Sequence, residues 1–152
     1  MKMALDGAVG VNIVKTYEPG RVQIRDRYFD TSLIVLRDHL LDDWQPRNAS
    51  ELRASHLEPI LQHRPEVVIL GTGENQVFPE PAMFMTLMDL GIGFEVMNNA
   101  AACRTYNVLV AEERDMKSLT IRLLGSPELM VGQQPLVFPT RKVLALLVYL
   151  VV

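Results

Sequence analysis

Cysteine is nearly absent: Cys103 is the single one in 152 residues. No disulfide can therefore form within the chain, and a reducing compartment fits. Long apolar runs are missing as well. The longest, Val143 to Val152, has ten residues, about half of the roughly 20 needed to cross a bilayer. The opening MKMALDGAVG lacks both the apolar core of a signal peptide and the arginine-rich pattern of a transit peptide. A large excess of one charge sign is missing too, with 15 Lys and Arg against 18 Asp and Glu. A formal net charge of −3 gives no electrostatic basis for binding nucleic acid or an anionic membrane. Together these absences point to a cytoplasmic protein with no transmembrane segment. What is present is ordinary. With 49% apolar and 22% charged residues, the chain can build one packed domain, or one domain and an appendage.

Strand-like patterning fills the first part of the chain. Val11, Ile13 and Tyr17 are apolar or aromatic in an extended stretch, Pro19-Gly20 signals a turn, and Val22 and Ile24 alternate with Arg21, Gln23 and Arg25. Leu33 to Leu36 is a third short run, and three strands so close together predict a meander or an antiparallel layer. The period then changes. Leu52, Leu57, Ile60 and Leu61 can share a helical face, with Ser55 and Glu58 spaced as a capping box and Pro59 drawing the helix start toward Ser55. The run Val67 to Leu70 stops at Gly71 as a buried strand would. A helix is expected near Pro79 and Pro81, with Phe84, Leu87 and Met88 inward at i, i+3 and i+4 and Gly91 at its end. Phe94 to Met97 predicts another strand. Asn99 is placed to cap a helix through Arg114, with Cys103, Tyr106 and Leu109 or Val110 on its inner side. The fold class is α/β: a mixed β-sheet with helices packed on it and right-handed crossovers.

The last part patterns differently. Ser118 to Leu124 alternates like a strand, and Leu129 to Val131 and Leu136 to Phe138 predict a hairpin around Gly132-Gln133. Thr140 can cap a final helix with Leu144, Leu147, Val148 and Val151 as a stripe and apolar residues on its other sides. Such a helix needs cover, which predicts packing on the domain or self-association.

Two resemblances add to this. The segments VVILGTGENQVFPEP (67–81) and GIGFEVMNNAAACRTYNVLVAEER (91–114), with SLIVL upstream and Trp44, resemble a family of small domains of unknown function. That family includes mitochondrial respiratory complex I assembly factor 3 and a human adipogenesis-associated protein. The likeness covers about residues 12–114, and its specific parts are GTG at 71–73 and ACRTYN at 102–107. It implies an α/β domain, a protein partner, a role in building an enzyme complex for the mitochondrial members, and no established reaction. One departure stands out: Asn98-Asn99 occupy the place where the family usually has Asp-Thr, so the resemblance implies no role that needs a carboxylate there. From Met116 the segment MKSLTIRLLGSPELMVGQQPLVFPTRKVLALLVYLVV resembles the opening of a bacterial transcriptional activator's winged-helix domain. It stops before any recognition helix, so no nucleic-acid partner is implied. The chain thus divides into an α/β domain, 1–115, and a winged-helix-like fragment, 116–152.

The candidate site lies where strands give way to helices. Gly71-Thr72-Gly73 follows a buried strand, the position at which open α/β sheets bind ligands. No third glycine follows at dinucleotide-binding spacing and no Gly-Lys-Ser/Thr follows, so the loop either holds an anion or simply turns tightly. Asn98-Asn99 follows the next strand. If the two strands are neighbours, Thr72, Asn99, Thr105 and Asn107 line one crevice, and helix N–H groups near Ala101 favour a negative group; alternatively Asn99 only caps the helix. Cys103 sits near the helix start beside Arg104, a setting that can lower a thiol pKa, but it also reads as a small buried hydrophobe. Asp38, His39, Asp42 and Asp43 lack zinc-ligand spacing and read as a solvated turn. No catalytic triad or nucleophile elbow is present. The candidate ligand-binding set is Gly71, Thr72, Gly73, Asn99, Cys103, Thr105 and Asn107, with no metal, cofactor or catalytic residue assigned. The function expected is a non-enzymatic assembly or adaptor protein. The alternative is a small-molecule-binding protein or minor enzyme using the Gly71–Gly73 loop and the Asn99–Asn107 helix start.

Overall fold

The computed structural model describes residues 10–124 and 145–149, with side chains described for 10–112. Alternation and turns in the first stretch build a three-stranded antiparallel sheet from β1 (Val14–Glu18), β2 (Arg21–Ile24) and β3 (Arg27–Phe29). Val14, Val22, Ile24 and Phe29 are its buried residues. The expected third strand is real but belongs elsewhere. β4 (Leu33–Val35) pairs antiparallel with the short β5 (Leu40–Leu41) in a separate five-stranded sheet, and β3 takes its place in the meander.

That second sheet has the order β5-β4-β8-β6-β7. β6 (Val67–Gly71) and β7 (Gly93–Met97) are parallel neighbours, in register from Val67–Gly93 to Gly71–Met97. Side chains along β6 alternate between two cores. Val68 and Leu70 join Ile34, Leu36, Trp44, Leu52, Leu57, Ile60, Met83, Leu87 and Val96 on one face. Ile69 joins Leu33, Val35, Ala102, Cys103, Tyr106 and Val110, with the small sheet behind them, on the other. A strand covered on both faces reads as a continuous apolar run.

The first face is covered by short pieces. Two 3-10 turns, Ala49–Glu51 and Ala54–Leu57, lead into α1 (Glu58–Leu61). The expected capping box is displaced: Arg53 holds the cap position and its N–H donates to His56 Nδ1 at 2.9 Å, while Asn48 caps the first turn. α2 (Pro81–Asp89) begins with proline in its first turn, where the missing N–H costs nothing. It ends at Gly91 in a left-handed conformation with φ 71°. Gly91 N–H bonds Met88 O and Ile92 N–H bonds Leu87 O, the paired bonds of a Schellman stop. Met83 and Leu87 are buried and Phe84 is partly so, but Met88 is 69% exposed rather than inward as its spacing predicted.

Two corrections concern the far end of the chain. α3 runs from Asn99 to Leu124, through the stretch 118–124 that reads as a strand. Residues Ala145–Tyr149 form β8, a strand, where a final apolar helix was expected. β8 lies between β4, antiparallel, and β6, parallel. An apolar run of this length is consistent with either a buried helix or a buried strand, and periodicity cannot separate them. Placement in a sheet flanked by helices removes the need for self-association through a helix. The expected hairpin at 129–138 lies outside the described residues. Among those described, no helix is long and apolar enough to cross a membrane.

If β8 completes the sheet, a chain ending at Leu124 leaves β4 and β6 without their shared neighbour. Such a truncation should lose the cooperative thermal transition that the full chain shows by circular dichroism; a cooperative melt near the full-length temperature would refute the central place of β8.

Candidate functional site

The predicted crevice exists as a junction of loop, edge strand and helix start. β6 and β7 are neighbours, so the loop after Gly71 and the start of α3 meet at the same end of the sheet. Asn99, fully buried, is the centre of that junction. Its Oδ1 accepts from Gly73 N–H at 3.0 Å, and its own N–H donates to Gly73 O at 2.7 Å. A Cβ at residue 71 would stand 2.5 Å from Asn99 Oδ1, so glycine is required there by close approach. The helix cap belongs to the neighbouring residue. Asn98 Oδ1 accepts from Ala101 N–H at 2.8 Å, so Asn98, and not Asn99, fills the cap role.

The loop is tied internally. Thr72 N–H donates to Met97 O at 3.0 Å, its hydroxyl donates to Asn75 O at 2.8 Å, and Val77 N–H donates to that hydroxyl at 2.9 Å. Gln76 Nε2 donates to Val96 O at 2.8 Å, covering a carbonyl of the edge strand β7. Tyr17 on β1 brings its phenol to the Asn99 side chain. Burial, then the nearby Glu74 carboxylate, raise that phenol above its ordinary value, against the Asn99 hydrogen bond.

The remaining candidates turn in other directions. Thr105 Oγ1 reaches Met97 Sδ at 3.4 Å. Tyr106 donates its hydroxyl to Asn12 O at 2.9 Å. Asn107 clasps one residue of β1 from both sides: Val14 N–H donates to its Oδ1 at 3.0 Å and its Nδ2 donates to Val14 O at 2.8 Å. Cys103 is buried, and burial pushes its thiol up to about 12 against the opposing pull of Arg104. Gly71, Thr72, Gly73 and Asn99 therefore come together, Cys103 lies buried behind them, and Asn107 faces the small sheet. A cavity of about 370 Å³ opens elsewhere, against Asn12, Ile24, Arg25, Asp26, Arg27, Phe29, Asp38 and Leu40, and none of the seven candidates lines it. There the hydrogen bond with His39 holds the Asp38 carboxyl below the usual carboxylate range. Among the described residues, no group of three or more His, Cys, Asp or Glu is placed to hold a metal ion.

Sequence reasoning missed a different surface. Val77, Phe78, Met85, Met88 and Leu90 are all exposed on and around α2. The signal was available in the spacing Pro81, Met85, Met88, an i, i+4, i+7 stripe opposite the buried Met83 and Leu87.

Two measurements check this geometry. Asn99→Ala leaves the Gly73 N–H buried and without its acceptor, a loss of about 1–3 kcal/mol that urea unfolding should register. At pH 8 the Cys103 thiolate fraction is on the order of one in ten thousand, so a disulfide reagent should label the thiol only slowly until denaturant is added. Rapid stoichiometric labelling of the native chain would contradict its burial.

The fold and its parts recur in other proteins. A Xanthomonas campestris protein solved by NMR is similar over 99% of this chain and 92% of its own, at 25% identity and a TM-score of 0.69. A Bordetella parapertussis crystal structure matches at 30% identity and a TM-score of 0.64, covering 69% of this chain and 90% of that one. The "13 kDa major membrane protein" of Francisella tularensis is 30% identical over 109 residues, 70% of this chain and 88% of that protein. The Xenopus tropicalis NADH dehydrogenase [ubiquinone] 1 alpha subcomplex assembly factor 3 is 33% identical over 85 residues, 56% of this chain and 44% of the assembly factor, which is thus spanned over less than half its length. The family model described as "Protein of unknown function (DUF498/DUF598)" matches residues 14–119, and the chain belongs to that family.

Proposed function

We infer that the chain is a non-enzymatic assembly or adaptor protein, acting in the cytoplasm on a protein partner and, by analogy with the assembly factor, in building a respiratory complex. The observation that carries this is the exposed apolar face of α2, with Met85 62% and Met88 69% accessible, beside the strand that ends the sheet. Side chains of this size left in water favour a surface that is covered when a partner docks. The polar residues that a reaction would need are engaged by main chain, as for Thr72, Asn99 and Asn107. The resemblance of 116–152 to a winged-helix opening does not change this reading, because β8 from that stretch pairs within the same sheet as β6.

A small-molecule-binding role at the Gly71–Gly73 loop is the second reading. It is favoured by the loop's place at the ends of β6 and β7, with Tyr17 and Glu74 close to Asn99. It expects a bound small molecule in the native mass of protein purified from its host, with the adduct diminished by Thr72→Ala.

The assembly role is tested in a host strain lacking the gene. Native gels of gently solubilised membranes should show partly built respiratory NADH dehydrogenase and little of the finished complex, with the wild-type chain restoring it. A finished complex at normal level in the deletion strain would sink the role.

A further inference from the structure

Five of the eight large apolar side chains exposed among the described residues, Val77, Phe78, Met85, Met88 and Leu90, fall within one stretch of fourteen residues. The same region has a second property. Lysine and arginine are absent from residue 65 to residue 103, whereas Glu66, Glu74, Glu80, Asp89 and Glu95 give that stretch a charge of −5 in a chain whose total is −3. Glu80 stands at the N-cap position of α2 and Asp89 is its last residue, so a carboxylate marks each end of the helix, whereas Glu95 alternates with Phe94 and Val96 on β7 and lies on the other face of the sheet. The ion pairs Lys15–Asp26 and Arg27–Asp42, and the His39–Asp38 contact, include none of these five among the described residues. The nearest cation in sequence to the adjoining 3-10 turn, Arg53, is turned to the carbonyls of Ser50 and Leu52.

We propose that the α2 face docks a basic amphipathic helix of a partner protein, with apolar side chains on Met85 and Met88 and lysine or arginine along its margins. This deepens the assembly reading and rests on it. Charge selects the occupant. A second copy would set one carboxylate-rimmed face against another, and like charges across an interface are repulsive. An anionic leaflet attracts basic segments and repels this rim. A cationic partner gains attraction at the margin, while the unbranched thioethers of Met85 and Met88 adapt to whatever apolar shape arrives. The sheet edge is a poorer receptor for an added strand, because Gln76 already bonds Val96 O. A helix laid across α2 needs none of those edge groups and uses the i, i+4, i+7 stripe directly.

The test uses the full chain and a fluorescein-labelled, 14-residue leucine/lysine amphipathic peptide, followed by anisotropy at two salt concentrations. A leucine/glutamate peptide of the same pattern is the counter-probe. The lysine peptide should bind, more weakly at high salt, and the glutamate peptide should not. Affinity should fall at least tenfold in Met85→Ser/Met88→Ser and again in Glu80→Gln/Asp89→Asn. It should be unchanged in Glu18→Gln/Asp30→Asn, whose carboxylates sit on or beside the small sheet. The proposal is overturned by any of four results: no binding of the lysine peptide, equal binding of both peptides, equal loss in the Glu18/Asp30 control, or concentration-dependent dimers in sedimentation that the Met85/Met88 variant abolishes. Tighter binding to phosphatidylglycerol vesicles than to the peptide would also overturn it. Failure here with a defective native-gel profile removes the helix partner and leaves the assembly role. Peptide binding with a normal profile does the reverse.

Discussion

The structure depends on one long-range pairing, the insertion of β8 between β4 and β6. β4 and β5 form an antiparallel pair and β6 and β7 a parallel one, and β8 joins the two halves into a single sheet. Because β8 lies last among the described elements, the loop-closure entropy of joining the halves is met only when the far end of the chain returns. The gain on that return comes from completing two hydrogen-bond ladders at once. The two apolar cores on either face of the sheet form around a framework that this strand closes.

α3 then orients everything on its side of the sheet. One face of the helix carries Asn99, Ala102, Cys103, Tyr106 and Val110, all buried. At its first turn Asn99 holds the Gly71–Gly73 loop, and two turns on Tyr106 and Asn107 hold the small sheet through Asn12 and Val14. Asn107 acts there as a one-residue strand, presenting an acceptor and a donor to the two main-chain groups of Val14. The ACRTYN stretch therefore works as a set of latches, with the apolar residues supplying contact and the polar ones fixing register. Side-chain amides are suited to this because each satisfies a buried or partly buried main-chain group that has no strand partner.

Much of this was legible from residues alone, for physical reasons that differ by element. β6 was legible because its apolar run is bounded by glycine, and α2 because proline and glycine punctuate both ends. The inner face of α3 followed from spacing. β8 was misread because its sequence shows no alternation to betray a strand, and an all-apolar decapeptide fits a helix equally well. The stretch 118–124 was misread because its alternation lost to continuation of a helix already nucleated. Asn99 was assigned as the cap when Asn98 fills that role; two adjacent asparagines give sequence no means of choosing. The candidate set around Gly71–Gly73 was partly legible, since topology does bring the loop to Asn99. That Asn107 faces β1 was not, because its partner lies ninety-three residues away.

The distribution of charge bears on what an exposed apolar face can meet. A small net charge of −3 conceals a strongly one-signed stretch, and two of its carboxylates, Glu80 and Asp89, stand at the two ends of the helix that carries the face. Rim carboxylates add little affinity on their own, since exposed ion pairs contribute about 0–1 kcal/mol. Their effect falls on encounter and choice. Within a Debye length of about 8 Å at physiological salt they accelerate approach of a cationic segment and slow that of an anionic one. They also act between identical molecules, where the same rim on both copies opposes the apolar contact that Met85 and Met88 would otherwise permit. The acidic rim and the apolar stripe are thus parts of one device: the stripe supplies contact area to any partner, and the rim restricts which partners arrive.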